Sequence, residues 1–209
     1  FIRHWDAYSD GRRNQLFAAG FDAAGKLSAT PKLVSRGIDG DVPSKPFGDA
    51  EEFNWAPDGK SLAFNARIAG RSESWSTNFD VFVAEVEGNA APRNLTAANP
   101  AWDAAPVYRA DGRALYYRAM KRAGFEADRF WLMELDLASG KSGEIAPGWD
   151  SSADKIRVAA DGTPELCEIK TTSRPWRGIP RGYLRQVWWQ QYVLGGERTI
   201  TVPATLSYA

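Results

Sequence analysis

Cysteine and histidine are almost absent from this sequence, and their scarcity excludes several kinds of site. Cys167 is the single cysteine among 209 residues, so neither an internal disulfide framework nor a cysteine-rich zinc site can form. His4 is the single histidine, which also excludes a zinc site built from several imidazoles. Long apolar runs are missing as well, because no segment approaches the roughly 18 residues that a membrane-spanning helix needs.

The sequence also lacks an excess of either charge. It has 26 basic and 26 acidic residues, a balance that argues against a broadly basic nucleic-acid binder. Hydrophobic residues make up 44% and charged residues 25%, which excludes wholesale disorder. The chain opens on Phe1 instead of Met, within the strand-like stretch FIRHWDAYSDG, so we expect a piece of a longer protein. The compartment stays open between cytoplasm and periplasm.

Turn residues and aromatic residues are abundant, and they recur with a period. Nineteen Gly, 12 Pro and 26 aromatic residues are typical of many short strands separated by tight turns. Four of the five Asp-Gly pairs recur at spacings of 48, 53 and 50 residues, at Asp10-Gly11, Asp58-Gly59, Asp111-Gly112 and Asp161-Gly162; Asp39-Gly40 falls outside this spacing. The middle two lie in matching segments, FNWAPDGKSLAF (53–64) and PVYRADGRALYY (106–117), which predict a strand, a turn and a strand. KIRVAADGT (155–163) is a weaker third copy.

A second element repeats in phase with the first. DVFVAEV (80–86) and RFWLMELDL (129–137) both alternate as strands do, and each is followed by a turn and a short strand at Leu95-Thr96 or Glu144-Ile145. Loops carrying Trp102-Asp103 and Trp149-Asp150 come next, 47 residues apart. Four strands in each unit of about 50 residues predict a mainly β fold, a partial β-propeller of about three four-stranded blades. An all-β sandwich with coincidental Asp-Gly turns is the alternative.

Several of these segments, taken in order, resemble a known family. FIRHWDAYSDGRRNQLF, FNWAPDGKSLAF, SWSTNFDVFVAEVEGNAAPRNLT, NPAWDAAPVY and YYRAMKRAGFEADRFWLMELDLASG are similar to the N-terminal propeller of prolyl oligopeptidase-family serine peptidases, of the dipeptidyl-peptidase and acylaminoacyl-peptidase type. The resemblance implies a TolB-like propeller over residues 1–163. It also implies that the propeller caps a separate α/β-hydrolase domain and restricts which peptide substrates reach the catalytic serine.

The sequence contains no peptidase active site of that kind. A nucleophile elbow needs Gly-x-Ser-x-Gly, and the nearest match, GKSGE at 140–144, lacks the last glycine and falls at a predicted hairpin turn. His4 precedes every candidate serine, so we assign it to packing. Glu51 and Glu52 resemble the glutamate pair that binds the substrate amino terminus in the dipeptidyl-peptidase branch, but their surroundings lack its helical context and we leave the role unassigned. No cofactor is expected for the propeller.

Residues 164–209 differ in character and resemble a second family. A strand around Glu168-Ile169-Lys170, a basic loop and a helix over 180–194 are similar to the core of YqaJ-type viral recombinase nucleases, relatives of lambda exonuclease. Such enzymes cut DNA with Mg²⁺ or Mn²⁺ held by two carboxylates, beside a lysine. The candidate metal ligands are Asp154 and Glu168, with Asp161 a weaker choice for the partner acid. The complete candidate site is Asp154, Glu168, Lys170, Tyr183 and Gln186. A surface ion pair between Glu168 and Lys170 is the plainer alternative.

Two function classes therefore stay open. One is a non-catalytic, substrate-gating propeller segment of a serine peptidase, with domain bounds 1–163 and 164–209. The other is a fragment of a metal-dependent DNA exonuclease. The two resemblances do not normally share one chain, so a chimera, a frameshift or an assembly artefact is a further alternative. We rank the propeller first because its resemblance covers far more of the chain.

Overall fold

The regular secondary structure of the described residues is almost entirely short antiparallel strands. The computed structural model describes residues 11–27, 30–45, 48–145 and 147, together with the backbone of two later strands. Within these residues the helical structure is limited to two 3-10 turns, Ala50–Glu52 and Gly70–Ser72. The strands are β1 Phe17–Ala18, β2 Lys32–Leu33, β3 Phe53–Trp55, β4 Ser61–Ala66, β5 Asp80–Glu85, β6 Arg93–Asn94, β7 Asp103–Tyr108, β8 Ala114–Ala119, β9 Trp131–Asp136, β10 Ser142–Glu144, β11 Lys155–Val158 and β12 Pro164–Cys167.

Two four-stranded sheets form the centre of the described structure. Sheet one has the order β3-β4-β5-β6 and sheet two the order β7-β8-β9-β10, so each sheet is a meander that follows the chain. The registers are equivalent, because Trp55 pairs with Leu62 in sheet one and Tyr108 pairs with Leu115 in sheet two. The repeat predicted from the sequence is therefore present in these two units, with Trp55 and Tyr108 at matching positions.

The Asp-Gly pairs close the first hairpin of each sheet, by a loop longer than a two-residue turn. Gly59 and Gly112 have positive φ angles of 69° and 70°, whereas Asp58 and Asp111 do not share this conformation. Each aspartate instead accepts a hydrogen bond through Oδ1 from the backbone N–H two residues later, at 3.0 and 2.9 Å. The turn thus uses glycine for backbone freedom and aspartate for capping.

The two sheets pack face to face through a shared apolar core. Ala63 and Val81 of sheet one contact the face of sheet two that carries Leu115, Tyr117 and Ala119. Leu115 is completely buried, and the Tyr108 hydroxyl lies 3.2 Å from Ser61 Oγ across the interface. Burial of each large apolar side chain stabilises the contact by roughly 1.5–3 kcal/mol.

Two asparagines of sheet one fix the alignment of the sheets. Asn54 Oδ1 accepts a hydrogen bond from Tyr108 N at 3.0 Å, and Asn65 Oδ1 accepts one from Ala105 N at 3.1 Å. Ala105 has a φ of 51° and lies in a β-bulge, where β7 shifts register against β8. The buried Asn65 therefore satisfies an N–H that the bulge removes from the ladder.

The segment 14–42 covers the other face of sheet one. Its Leu16, Val34 and Val42 pack against Leu62 and Phe64, in one core cluster. The segment supplies only the two-stranded sheet β1-β2, and no four-stranded sheet precedes Phe53 in the described residues. The number of blades stays a prediction.

The predicted ends of several elements need correction. The short fourth strands begin earlier than Leu95 and Glu144, at Arg93 and Ser142, because each continues the ladder from the preceding strand. Asp103 belongs to β7 instead of a loop and is fully buried. The third copy forms a hairpin in which β11 pairs antiparallel with β12. The domain bounds 1–163 and 164–209 stay a prediction.

Candidate functional site

The predicted nuclease residues lie outside the described part of the chain. This holds for Asp154, Glu168, Lys170, Tyr183 and Gln186, for the alternative acid Asp161, and for His4. The described ladder ends at the pair Lys155–Cys167, one residue short of both predicted metal ligands. Within the described ranges, no group of three or more His, Cys, Asp or Glu side chains is arranged to hold a metal ion. The nuclease site therefore stays a prediction.

The serine nearest to a nucleophile motif belongs to a hairpin. Gly140 has a φ of 69° and closes the turn between β9 and β10, donating from its N–H to Asp136 O at 2.8 Å. Ser142 follows as the first residue of β10, where it pairs with Leu135. An elbow would instead place the serine on a strand-to-helix turn. The GKSGE segment therefore forms part of the β9–β10 hairpin, as the sequence predicts.

Two loops at one end of the sheets form an exposed surface with apolar side chains. They are the paired loops, residues 67–79 between β4 and β5 and residues 120–130 between β8 and β9. They contact each other through Gly124 N, which donates to Thr77 Oγ1 at 2.8 Å. Three large apolar side chains are exposed on them, Ile68 at 50%, Trp75 at 71% and Phe125 at 42%. Such a grouping is typical of a contact surface.

An ion-pair cluster holds the first of the paired loops in place. Arg13 donates two hydrogen bonds of 2.8 Å to the two carboxylate oxygens of Glu73, and its Nη1 also lies 3.1 Å from Asp41 Oδ2. This bidentate pairing lowers the pKa of Glu73 and raises that of Arg13. Burial raises the pKa of Asp41, but hydrogen bonds from Asn14 N, Lys45 and Arg13 outweigh it and leave the pKa lowered.

A column of aromatic rings and guanidinium groups lies beneath the paired loops. Phe79 stacks on Trp102 with ring centroids 4.9 Å apart, and Phe130 meets Trp102 edge-on at 5.7 Å. Arg67 lies over Phe79 and Arg118 lies over Phe130, each with Cζ 4.9 Å from the ring centroid. Because Phe79 and Phe130 precede equivalent strands, the column joins the two loops to the start of β7 and makes their base rigid.

The glutamate pair considered from the sequence is already engaged within the fold. Glu51 and Glu52 lie in the 3-10 turn before β3, which Asp49 caps by accepting from Glu51 N at 2.8 Å. Glu52 accepts hydrogen bonds of 2.6 Å from both Ser44 N and Ser44 Oγ. Its carboxylate therefore fastens the turn to residues 44–45, and the structure gives no reason to assign it a ligand.

Sequence reasoning did not single out Glu73, Trp75, Phe125 or Asp103 as site residues. Nothing in the local sequence distinguishes Glu73, because its partner Arg13 lies 60 residues away. The polar loops that separate the alternating strands could have drawn attention to Trp75 and Phe125, since both are large apolar residues within them. No helix that is long and apolar enough to cross a bilayer occurs in the described residues.

Comparison with known proteins points to peptidases. No family model matches the sequence. The chain is 29% identical over 160 residues to dipeptidyl-peptidase 5 of Porphyromonas gingivalis, covering 76% of this chain and 23% of that protein. It is 27% identical over 175 residues to dipeptidyl-peptidase 5 of Arthroderma otae, covering 78% and 24%. A probable dipeptidyl-peptidase 5 of Emericella nidulans is 26% identical over 171 residues, covering 75% and 23%.

Solved structures of TolB proteins are also similar to the described fold. TolB from Acinetobacter baumannii has a TM-score of 0.47 at 17% identity, covering 72% of this chain and 31% of that one. Putative TolB from Agrobacterium tumefaciens has a TM-score of 0.40 at 15% identity, covering 72% and 59%. In sequence, then, this mainly β chain is similar to dipeptidyl-peptidase 5 proteins and spans about a quarter of the length of those relatives.

Proposed function

We propose that this chain is part of the non-catalytic β-propeller of a dipeptidyl-peptidase-like serine peptidase of the prolyl oligopeptidase family. In this role it gates peptide access to a separate α/β-hydrolase domain and packs against that domain. The observation that carries the proposal is the similarity to dipeptidyl-peptidase 5 over three quarters of the chain. The two four-stranded sheets with equivalent registers support it, because successive four-stranded meanders are the units of a propeller.

The paired loops are the surface that we assign to this role. Trp75 and Ile68 are exposed on a loop that Arg13 and Glu73 hold in position, and Phe125 is exposed on the loop beside it. A gate needs a surface that keeps its shape while it contacts a partner, and the ion pair and the aromatic column supply that rigidity. Because the sequence contains no Gly-x-Ser-x-Gly elbow, the proposal assigns catalysis to the separate hydrolase domain.

A chimera with a working relative tests the proposal. The aligned segment of Porphyromonas gingivalis dipeptidyl-peptidase 5 is replaced by residues 11–145 of this chain. We expect the chimera to release dipeptides from a short chromogenic substrate and to show the same dependence on peptide length as the parent enzyme in the same assay. Hydrolysis of a series of peptides of increasing length gives kcat/KM for each substrate.

Labelling of the catalytic serine by a fluorophosphonate shows whether the hydrolase domain of the chimera is intact. A labelled chimera that cleaves long and short substrates equally well would contradict a gating role. A chimera carrying Trp75→Ala is compared with one carrying Leu27→Ala, a large exposed residue of the β1–β2 segment. Only Trp75→Ala should change how kcat/KM depends on the length of the peptide substrate.

A further inference from the structure

Asp103 is a carboxylic acid completely buried at the contact between the two sheets. It is the first residue of β7, its exposed fraction is 0%, and its backbone N–H donates to Phe79 O of the neighbouring unit at 2.9 Å. Its Oδ1 accepts a hydrogen bond of 2.8 Å from Asn99 Nδ2, which also donates to Met120 O. Asp103 therefore belongs to the polar seam that joins β5, β7 and the end of β8.

The second oxygen of this carboxyl group has no partner. Asp103 Oδ2 is inaccessible to solvent and makes no hydrogen bond, and the same is true of Oδ1 of Asp80 nearby in β5. Thr96 interacts with both carboxyl groups and favours the ionised form of each, but its hydroxyl has one hydrogen to donate. No Lys or Arg of the described residues forms an ion pair with Asp103.

A negative charge at this position is costly. An unpaired buried carboxylate loses its hydration without compensation, whereas a protonated carboxyl group carries no charge and can stay buried in this seam at lower cost. The pKa of Asp103 is raised to about 7, mainly by burial and in part by the charge of Asp80, although hydrogen bonds from Asn99 and Thr96 act in the opposite direction. Asp103 in turn contributes to the raised pKa of Tyr117 in β8.

We propose that Asp103 is a proton-dependent latch between the two sheets: it holds them together as a neutral acid and loosens their contact when it ionises. The latch lies at the end of the sheets that carries the aromatic column and the paired loops, because Trp102 precedes it directly. A loosened contact at Asp103 would therefore change the positions of the paired loops before it affected the rest of the sheets. This inference concerns the contact between the sheets and does not depend on the proposed peptidase role.

The pH range of the effect follows from the pKa in the two states. Unfolded Asp103 has the ordinary value of 3.8, whereas the folded value is about 7. The stabilisation from the neutral acid is therefore complete below about pH 4, is lost as the pH rises towards 7, and changes no further above that. Between these limits one proton is released on unfolding, so the unfolding equilibrium constant rises up to about tenfold per pH unit from this group.

Asp103→Asn tests the latch, because asparagine has the shape of the neutral acid and cannot ionise. Urea unfolding of the wild-type chain and the variant is measured from about pH 5 to pH 8.5. The ratio of the wild-type to the variant unfolding constant should rise steeply up to about pH 7 and then level off. Glu126→Gln, at an exposed acid of the second paired loop, should leave the wild-type slope unchanged. A ratio that stays constant over the whole range would overturn the proposal.

Infrared spectroscopy of the wild-type chain gives a test that does not need the variant to fold. At about pH 5.5 exposed carboxyl groups are ionised, so a protonated carboxyl stretch must come from a group with a raised pKa. The latch predicts that this band is present at that pH and disappears by about pH 8.5. Its absence at the lower pH would overturn the proposal. In a folded Asp103→Asn chain the band should weaken and keep at most the contribution of Asp80, whose pKa burial also raises. A band of undiminished intensity in that variant would likewise overturn the proposal.

Discussion

At the scale of single residues, Glu73 and Asp103 show how the groups around a carboxyl group decide whether its charged or its neutral form is favoured. Glu73 is 31% exposed and faces a guanidinium group that matches both of its oxygens, which makes its charged form favourable. Asp103 is fully buried and faces an amide and a hydroxyl group, which cannot compensate a full charge. A carboxyl group therefore stabilises the fold in its charged form at Glu73 and in its neutral form at Asp103.

Glu73→Gln should lower the free energy of unfolding by about 1 kcal/mol at neutral pH, because it removes a partly exposed bidentate ion pair. Arg13 lowers the pKa of Glu73 in the folded chain, so this contribution is present above the ordinary value of 4.5 and is lost as the pH falls through the folded value. Urea unfolding at about pH 7 and pH 3 measures the difference. The matched control is Glu87→Gln, since the Lys32–Glu87 pair is exposed on both sides and should contribute little. Equal effects of the two variants at neutral pH would contradict the anchoring role of Arg13.

Gly59→Ala should destabilise the chain by about 1–2 kcal/mol through backbone strain alone. Gly59 has a φ of 69°, yet an added Cβ would meet no atom within 4 Å, so no steric clash contributes. Gly143→Ala is the control, because that position in β10 is equally open and has no positive φ. Thermal unfolding of the two variants separates the effects. A loss at Gly143 as large as that at Gly59 would show that the turn conformation is not the cause.

At the scale of elements, equivalent positions in the two sheets have different surroundings. Trp55 and Tyr108 end the first strand of their sheets in the same register. Tyr108 is 5% exposed because sheet one covers it, whereas Trp55 is 45% exposed because the segment 14–42 does not cover it in the same way. Packing between the sheets, and not the strand itself, therefore decides the burial of these aromatic residues.

Tyr108→Ala should lower the free energy of unfolding by about 3 kcal/mol or more, because it opens a cavity in the core between the sheets and removes the contact with Ser61. Trp55→Ala should lower it by clearly less, about 1 kcal/mol, although the substitution deletes more atoms. Denaturant unfolding of the two single variants and of the wild type provides the comparison. An equal or larger loss for Trp55→Ala would mean that this residue is covered in solution.

The sequence allows the repeating strands to be predicted, but not the contacts between the repeats. Asp-Gly spacing and alternation locate the strands of both sheets, since hairpins are local and their turn residues lie within a few positions. The pairing of Arg13 with Glu73 and of Asn65 with Ala105 joins residues 60 and 40 positions apart, and no local pattern specifies such contacts. The predicted positions of β6 and β10 were also too late in the sequence. An edge strand of two or three residues is defined by its pairing with the neighbouring strand and not by a pattern of its own.

At the scale of the whole molecule, the sequence contains no nucleophile elbow of the Gly-x-Ser-x-Gly type. We expect a fluorophosphonate to label no serine of this chain, because the nearest motif lies in the turn and strand after Asp136. Mass spectrometry of the treated chain measures the modification. A known serine hydrolase, treated in parallel, serves as the positive control. Stoichiometric modification of any serine here would contradict the prediction.

The nuclease alternative has its own test on the same chain. It predicts Mn²⁺ binding that Glu168→Ala abolishes and that Glu126→Ala leaves intact, because Mg²⁺, for which Mn²⁺ is the probe, is held by oxygen ligands at about 2.0–2.1 Å. Isothermal titration calorimetry measures the heat of binding for each variant. If the folded chain binds no Mn²⁺, Glu168 and Lys170 are left as a surface ion pair.

The two asparagines between the sheets bear on how such a chain can evolve. Each sheet is closed by hairpins, so duplication of a coding segment for one unit would add a complete meander without breaking a ladder. Asn54 and Asn65 of sheet one have Val107 and Arg118 as their counterparts in sheet two, and neither counterpart can accept a hydrogen bond through its side chain. A rearrangement of the gene that exchanged the order of the two units would leave the backbone N–H of Ala105, in the β-bulge, without its acceptor Asn65. The two units have equivalent strands and registers, yet they cannot exchange places, because the contact between them depends on residues that only one of them carries.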